Sequence, residues 1–247
     1  MIHVGTSGWQ YRDWRGTFYP EDLPQRRWLP YFAERFPTVE VNNTFYNLPK
    51  EDTFRAWREA TPPDFVITVK ASRYITHIRR LRDAGDAVAL FWSRATLLGE
   101  KLGPVLFQLP PNFSADLPRL EAFLTVLPGE MRAAFEFRHP SWEDEDAYGL
   151  LDRAGHALVL ADRPGARVAD IVTGGWSYVR FHQGSTTGPD YPRAKLRRWA
   201  GKIAGLTAKE VFAYFNNDPG GAAVRDAVAL TDLLRGHGVA VRGPEPD

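Results

Sequence analysis

The chain has 247 residues, 44% of them hydrophobic and 25% charged, the composition of a globular protein long enough to bury a large core. It has no cysteine, which excludes disulfides, thiolate nucleophiles, cysteine-held zinc and iron–sulfur clusters. A net charge of +1 argues against a strong binder of polyanions. The opening Met1-Ile2-His3-Val4-Gly5 lacks the charged and apolar regions of a signal peptide. No apolar run approaches the roughly 20 residues needed to cross a bilayer, so the expected location is cytoplasmic, with no membrane partner.

Short apolar or β-rich runs bounded by turn residues recur along the chain, beginning near Ile2, Thr38, Phe65, Pro104, Arg132, Ala157, Trp176 and Glu210. Several are apolar on consecutive positions, such as Phe65 to Val69, Ala157 to Ala161 and Val211 to Phe215. That suits parallel strands covered on both faces. Between them, amphipathic spacing predicts helices over 26–36, 52–60, 86–102, 117–127, 145–154, 192–203 and 222–234. Asp52, Asp86 and Asp116 suit helix N-termini, where the macrodipole favours negative charge. The stretch from Asp162 to Gly175 offers no convincing helix. Strand-then-helix repeated eight times without a linker predicts a single (β/α)8 TIM-type barrel over residues 1–247. No Gly-x-Gly-x-x-Gly fingerprint follows the first strand, which disfavours a doubly wound open sheet.

A barrel builds its site from strand C-termini and the loops behind them. The positions there are Ser7 and Trp9; Glu40, Asn42, Phe45 and Tyr46; Lys70 and His77; Gln108; Glu136, Arg138 and His139; Asp162; Arg180 and His182; and Asn216, Asn217 and Asp218. Period-two alternation puts Glu136 with Arg138, Arg180 with His182, and Glu40 with Asn42 on the barrel face, while Phe135 and Phe137 face the helices. A pair such as Glu136 with Arg180, or Glu40 with Arg138, would serve equally as a satisfied polar layer. Polar ends around the whole ring favour a functional cleft.

Several of these segments form a recognisable set: Gly5-Thr-Ser-Gly-Trp-x-Tyr-x-x-Trp14, Val39-Glu-Val-Asn-x-Thr-Phe-Tyr46, Lys70 with Thr76-His77, and Gln108-Leu-Pro-Pro111. Glu136-Phe-Arg-His-x-Ser-Trp142, Val179-Arg-Phe-His182 and Tyr214-Phe-Asn-Asn-Asp218 complete it. Together they resemble the YecE-like family, domain of unknown function 72, over nearly the whole chain. The resemblance implies a TIM-type barrel with these motifs at its strand ends and brings no established reaction. Gln183 departs from it, standing where the family pattern leads one to expect glycine.

Guanidinium forks match carboxylate and phosphate oxygens, so Arg138 and Arg180 beside Lys70 point to a small anionic ligand, phosphorylated or carboxylated and sugar-like. Glu136 or Glu40 is the candidate general base and His182 or His77 the candidate acid. Gln108, His139, Asn42, Asn216 and Asn217 are candidates to orient ligand groups. Trp9 and Tyr46, with Tyr11, Trp14, Phe45 and Trp142, either stack on a ligand or plug the mouth. Lys70 raises Schiff-base chemistry, with ion pairing to a glutamate as the alternative. Three histidines with Glu40, Glu136 and Asp162 could ligate a metal, but no close-spaced signature appears and adjacent arginines disfavour a cation. No metal or other cofactor is expected. The rival partner is nucleic acid, on the basic stretches 73–82 and 193–198, which read more plainly as solvated faces.

Overall fold

The sequence's short apolar runs become eight parallel strands in a computed structural model that describes residues 1–163, 171–184 and 188–245. They are β1 (Ile2–Thr6), β2 (Thr38–Val41), β3 (Val66–Lys70), β4 (Leu102–Gln108), β5 (Ala133–Glu136), β6 (Ala157–Asp162), β7 (Ser177–Phe181) and β8 (Val211–Phe215). Each pairs with the next, and β8 pairs with β1, which also pairs with β2, so the sheet closes. A two-residue strand, β9 (Val241–Arg242), adds alongside the start of β1.

The connecting helices are α1 (Trp28–Ala33), α2 (Asn43–Tyr46), α3 (Glu51–Glu59), α4 (Gly85–Ala95), α5 (Leu117–Leu124), α6 (Glu145–Arg153), α7 (Arg193–Ala204) and α8 (Ala222–Gly236). Asp116 caps α5 by accepting from the Arg119 N–H, and Asp144 caps α6 by accepting from Asp146 and Ala147. The expectation that no helix follows β6 falls partly on residues 164–170, outside the described residues; none is present in 171–176. No helix among the described residues is long and apolar enough to cross a membrane.

The apolar core lies between the sheet and the helices. Phe135 stacks on Phe107 at 5.3 Å, and Phe123 of α5 meets Phe107 edge-on at 5.4 Å. Phe181 meets Trp199 of α7 at 5.1 Å. The barrel interior is more polar than the branched apolar filling usual for this fold. Near the floor, Glu210 bridges His3 at 2.8 Å and Arg132 at 2.7 Å. Above it, the Tyr214 hydroxyl sits 2.7 Å from Thr38 Oγ1 and 2.9 Å from Thr68 Oγ1. These bonds close the floor of the interior, and the charged groups of β2, β5 and β7 stand above them, where the strands end.

Candidate active site

Glu40 near the end of β2, Glu136 at the end of β5 and Arg180 near the end of β7 point into the barrel and are almost wholly buried. Arg180 grips Glu40 in a fork, with Nε 2.9 Å from Oε2 and Nη2 2.7 Å from Oε1. Its Nη1 donates to Glu136 Oε2 at 2.6 Å, and Nη2 also reaches Asn216 Oδ1 at 3.2 Å. The His182 Nε2 atom lies 3.4 Å from Nη1. Of its five N–H groups, four have an oxygen acceptor and the fifth faces the His182 ring. It is therefore the hub of the cluster rather than a free anion receptor.

The carboxylates are equally occupied. Glu136 Oε2 accepts from Gln108 Nε2 at 3.0 Å as well as from Arg180, while Oε1 accepts from Arg138 Nε at 3.0 Å and lies 3.3 Å from His182 Nε2. Glu40 Oε2 also accepts from the Tyr178 hydroxyl at 2.6 Å. Burial alone would raise both acids, but the Arg180 charge and the hydrogen bonds outweigh it, holding Glu40 below and Glu136 well below the ordinary range. Carboxylates so stabilised are anchors and weak bases.

Lys70 at the end of β3 differs. Its Nζ donates to Gln108 Oε1 at 3.0 Å and lies 4.2 Å above the centre of the Phe45 ring. Burial first, and then the Arg180 charge, lower it to about 8. Gln108 is fixed from both sides, since its amide nitrogen donates to Glu136. Arg138, partly exposed, has one carboxylate contact and faces the mouth. His182 is pulled down mainly by burial, which favours its neutral ring. In that ring Nε2 either accepts from Arg180 or donates to Glu136, and Nδ1 takes the opposite role.

A second group of atoms follows β8, β1 and β2. Asn42 Oδ1 and Asp218 Oδ1 are buried without a hydrogen-bond partner, and the buried Ser7 hydroxyl lies beside Glu40. Asn42 Nδ2 reaches Asn216 Oδ1 at 3.4 Å. Burial, then the charge of Glu40, raise the Asp218 acid to about 7. Beside them lies a cavity of about 130 Å³ lined by Gly8, Trp9, Gln10, Tyr11, Val41, Asn42 and Asn43.

The structure thus brings Glu40, Glu136, Arg180, Arg138, His182, Gln108, Lys70, Asn42 and Asn216 to one mouth. His77 stands at its edge, with Nδ1 2.9 Å from Thr76 Oγ1 and its ring 4.9 Å from Phe45; burial and then Lys70 lower it to about 4. Other candidates stand elsewhere. Asn217 turns outward to donate to Asp226 at 2.7 Å and to the Pro189 carbonyl at 2.8 Å. His139 accepts from the Ser141 N–H at 3.2 Å and caps the turn at 140–142. Trp9 packs edge-on against Trp57 and contributes only to the cavity wall. Tyr46 is 68% exposed. Of the other aromatics, Trp142 stacks on Phe137 and donates to the Phe113 carbonyl, a packing role. Asp162 pairs with Lys195 of α7 at 2.8 Å. Among the described residues no group of three or more histidines and carboxylates is placed to hold a metal ion.

Tyr178 was not among the sequence-based candidates, and Asp218 was placed at the end of the eighth strand without a role. Tyr178 was within reach of the alternation rule, standing two residues before Arg180 on the same face. Asp218 ends the Asn-Asn-Asp run, but nothing in that run distinguishes it from a turn residue.

A closed parallel barrel with charged residues gathered at its strand C-termini defines a TIM-type barrel protein with its candidate site at the mouth. More specifically, the chain belongs to the family described as "Protein of unknown function DUF72", whose profile it matches over residues 3–247. It is 34% identical to the UPF0759 protein YecE of Escherichia coli over 171 residues, covering 66% of this chain and 60% of YecE. To the UPF0759 protein YunF of Bacillus subtilis it is 26% identical, over 95% of each chain. A crystal structure of a DUF72 family protein from Thermotoga maritima superposes with a TM-score of 0.83 at 30% identity, covering 93% of this chain and 96% of the other.

Proposed function

We propose that the chain is an enzyme that moves protons on a small anionic, hydroxyl-bearing substrate held in the barrel mouth. The observation that carries this reading is the charge balance of the cluster. Arg180, Arg138 and Lys70 stand against Glu40 and Glu136, three cations to two anions, and Arg180 already gives three of its N–H groups to the two carboxylates and a fourth to Asn216. The surplus positive charge falls on Arg138 and Lys70, which suits a phosphate or carboxylate group on the β3–β5 side. Ser7 Oγ, Asn42 Oδ1 and Asp218 Oδ1 form the opposite side. Asn42 Oδ1 accepts hydrogen bonds, the Ser7 hydroxyl and the Asp218 carboxyl can give or accept them, and the hydroxyls of a sugar-like ligand do both. The Asp218 acid, displaced to about 7, is the group poised to exchange protons near pH 7 and the His182 ring is a second proton-transfer group, whereas Glu136 and Glu40 hold Arg180 in place.

A thermal-shift screen against sugar phosphates, sugar acids, nucleotides and short oligonucleotides tests this reading, because a ligand of the folded state raises the melting temperature by mass action. The expected result is a shift with a small hydroxylated anion that is lost in Arg138→Ala. A small-anion shift unchanged by Arg138→Ala would remove Arg138 from the site. A salt-sensitive shift with oligonucleotides alone would replace the metabolite reading by nucleic-acid binding.

A further inference from the structure

Among the described residues two lysines are buried, Lys70 and Lys101, and they are held in opposite ways. Lys101 donates to the Thr61 carbonyl at 2.6 Å, to Thr61 Oγ1 at 3.2 Å and to the Arg58 carbonyl. Three acceptors for three N–H bonds make it a structural cross-link. Lys70 has one acceptor, the neutral Gln108 amide, and no carboxylate within ion-pair distance among the described residues. The two carboxylates of its own cluster are taken by arginines. One face of the amine rests on Phe45. A buried ammonium without an anion gains by losing a proton, and the free amine then keeps its bond to Gln108 while a lone pair becomes available.

We infer that Lys70 is a nucleophile that condenses with the carbonyl group of the substrate. This rests on the reading above and narrows the substrate to an anionic aldehyde, ketone or keto acid. In the step, Nζ attacks the carbonyl carbon to give a carbinolamine. The former carbonyl oxygen then leaves as water, carrying both hydrogens lost by the amine, and a C=N bond replaces the C=O bond. Protonation of that nitrogen gives an iminium able to withdraw electrons from the neighbouring carbon, where acid–base groups such as His182 would act. Arg138 would hold the anionic end, and the Phe45 face keeps water from one side of the nitrogen. The lowered proton affinity of Lys70 agrees: a group near 8 offers about 300 times the free amine at pH 7 of one at the ordinary 10.5.

Trapping on the unmodified protein tests this without any variant. The full chain is incubated at neutral pH with cyanoborohydride and either glyceraldehyde 3-phosphate or pyruvate, each with or without its hydroxyl counterpart, glycerol 3-phosphate or lactate. Cyanoborohydride delivers hydride to the iminium carbon and leaves a stable secondary amine, which peptide mapping locates. The expected result is modification of Lys70 at least tenfold faster than of exposed Lys50 and Lys209, none at Lys101, and suppression by the hydroxyl counterpart. Labelling of Lys70 no faster than of Lys50 and Lys209 with either carbonyl compound overturns the inference. Melting curves with the hydroxyl counterparts separate the two ideas. A thermal shift without a Lys70 adduct leaves the anion site standing and removes the imine. A Lys70 adduct that no anion suppresses keeps the nucleophile and removes the anion site.

Discussion

Asp218 and the two buried glutamates respond to pH in opposite directions. The Asp218 acid, raised to about 7 in the folded protein, ionises at about 4 when unfolded, so folding favours its protonated form and stability is lost as pH rises through that interval. Asp218→Asn removes the cost. It should raise the melting temperature at pH 8 and leave it nearly unchanged at pH 4; an equal effect at both values would show that Asp218 ionises normally. Glu40 and Glu136, held below the ordinary carboxylate range, contribute stability that is present above about 4.5 and lost as pH falls through their folded values. Alternation along single strands is enough to set Glu136 beside Arg138 and Arg180 beside His182. It could not say which cation would be most fully bonded, because the number of acceptors reaching Arg180 depends on β2, β5 and β8 at once. Nor could it foresee that Asn217 would turn out to Asp226 while Asn216 turned in.

Gly5 illustrates the constraint on elements. A Cβ there would stand 2.4 Å from the Thr38 carbonyl oxygen, a backbone atom that cannot swing away. Gly5→Ala should therefore push β1 from β2 and cost several kcal/mol, within the range known for overpacking and strain. Chemical denaturation reads the loss, and a change below about 0.5 kcal/mol would mean that the strands part easily. The eight strands and seven of the helices were legible because each carries its own period over enough residues. The pieces that were not legible are short. α2 spans four residues, too few to show a 3.6-residue period, and β9 spans two. The turn at Tyr74–Ile78 winds wider than an α-helix and brings His77 to the mouth, a placement set by its packing on Phe45 rather than by any local pattern.

Across the whole molecule, Arg180 ties β7 to β2 through Glu40 and to β5 through Glu136, spanning the barrel from inside. Removing one member of such a group strands the charges of the others in a poorly solvated interior, at a cost of about 3–5 kcal/mol. Arg180→Ala should show a loss of that size at pH 7 by chemical denaturation. The difference from the native chain should shrink towards pH 4, where the two orphaned carboxylates can take up protons. A loss below about 1 kcal/mol, or one independent of pH, would mean that water already reaches the cluster. The same linkage bears on how this chain can drift. A lineage that altered position 40, 136 or 180 alone would pass through a barely folded ancestor, whereas joint replacement by a neutral trio would not. Substitutions at the three positions are therefore expected to arrive together, each permissible only on the background of the others. The mouth of this barrel would then change by rare jumps rather than by gradual steps.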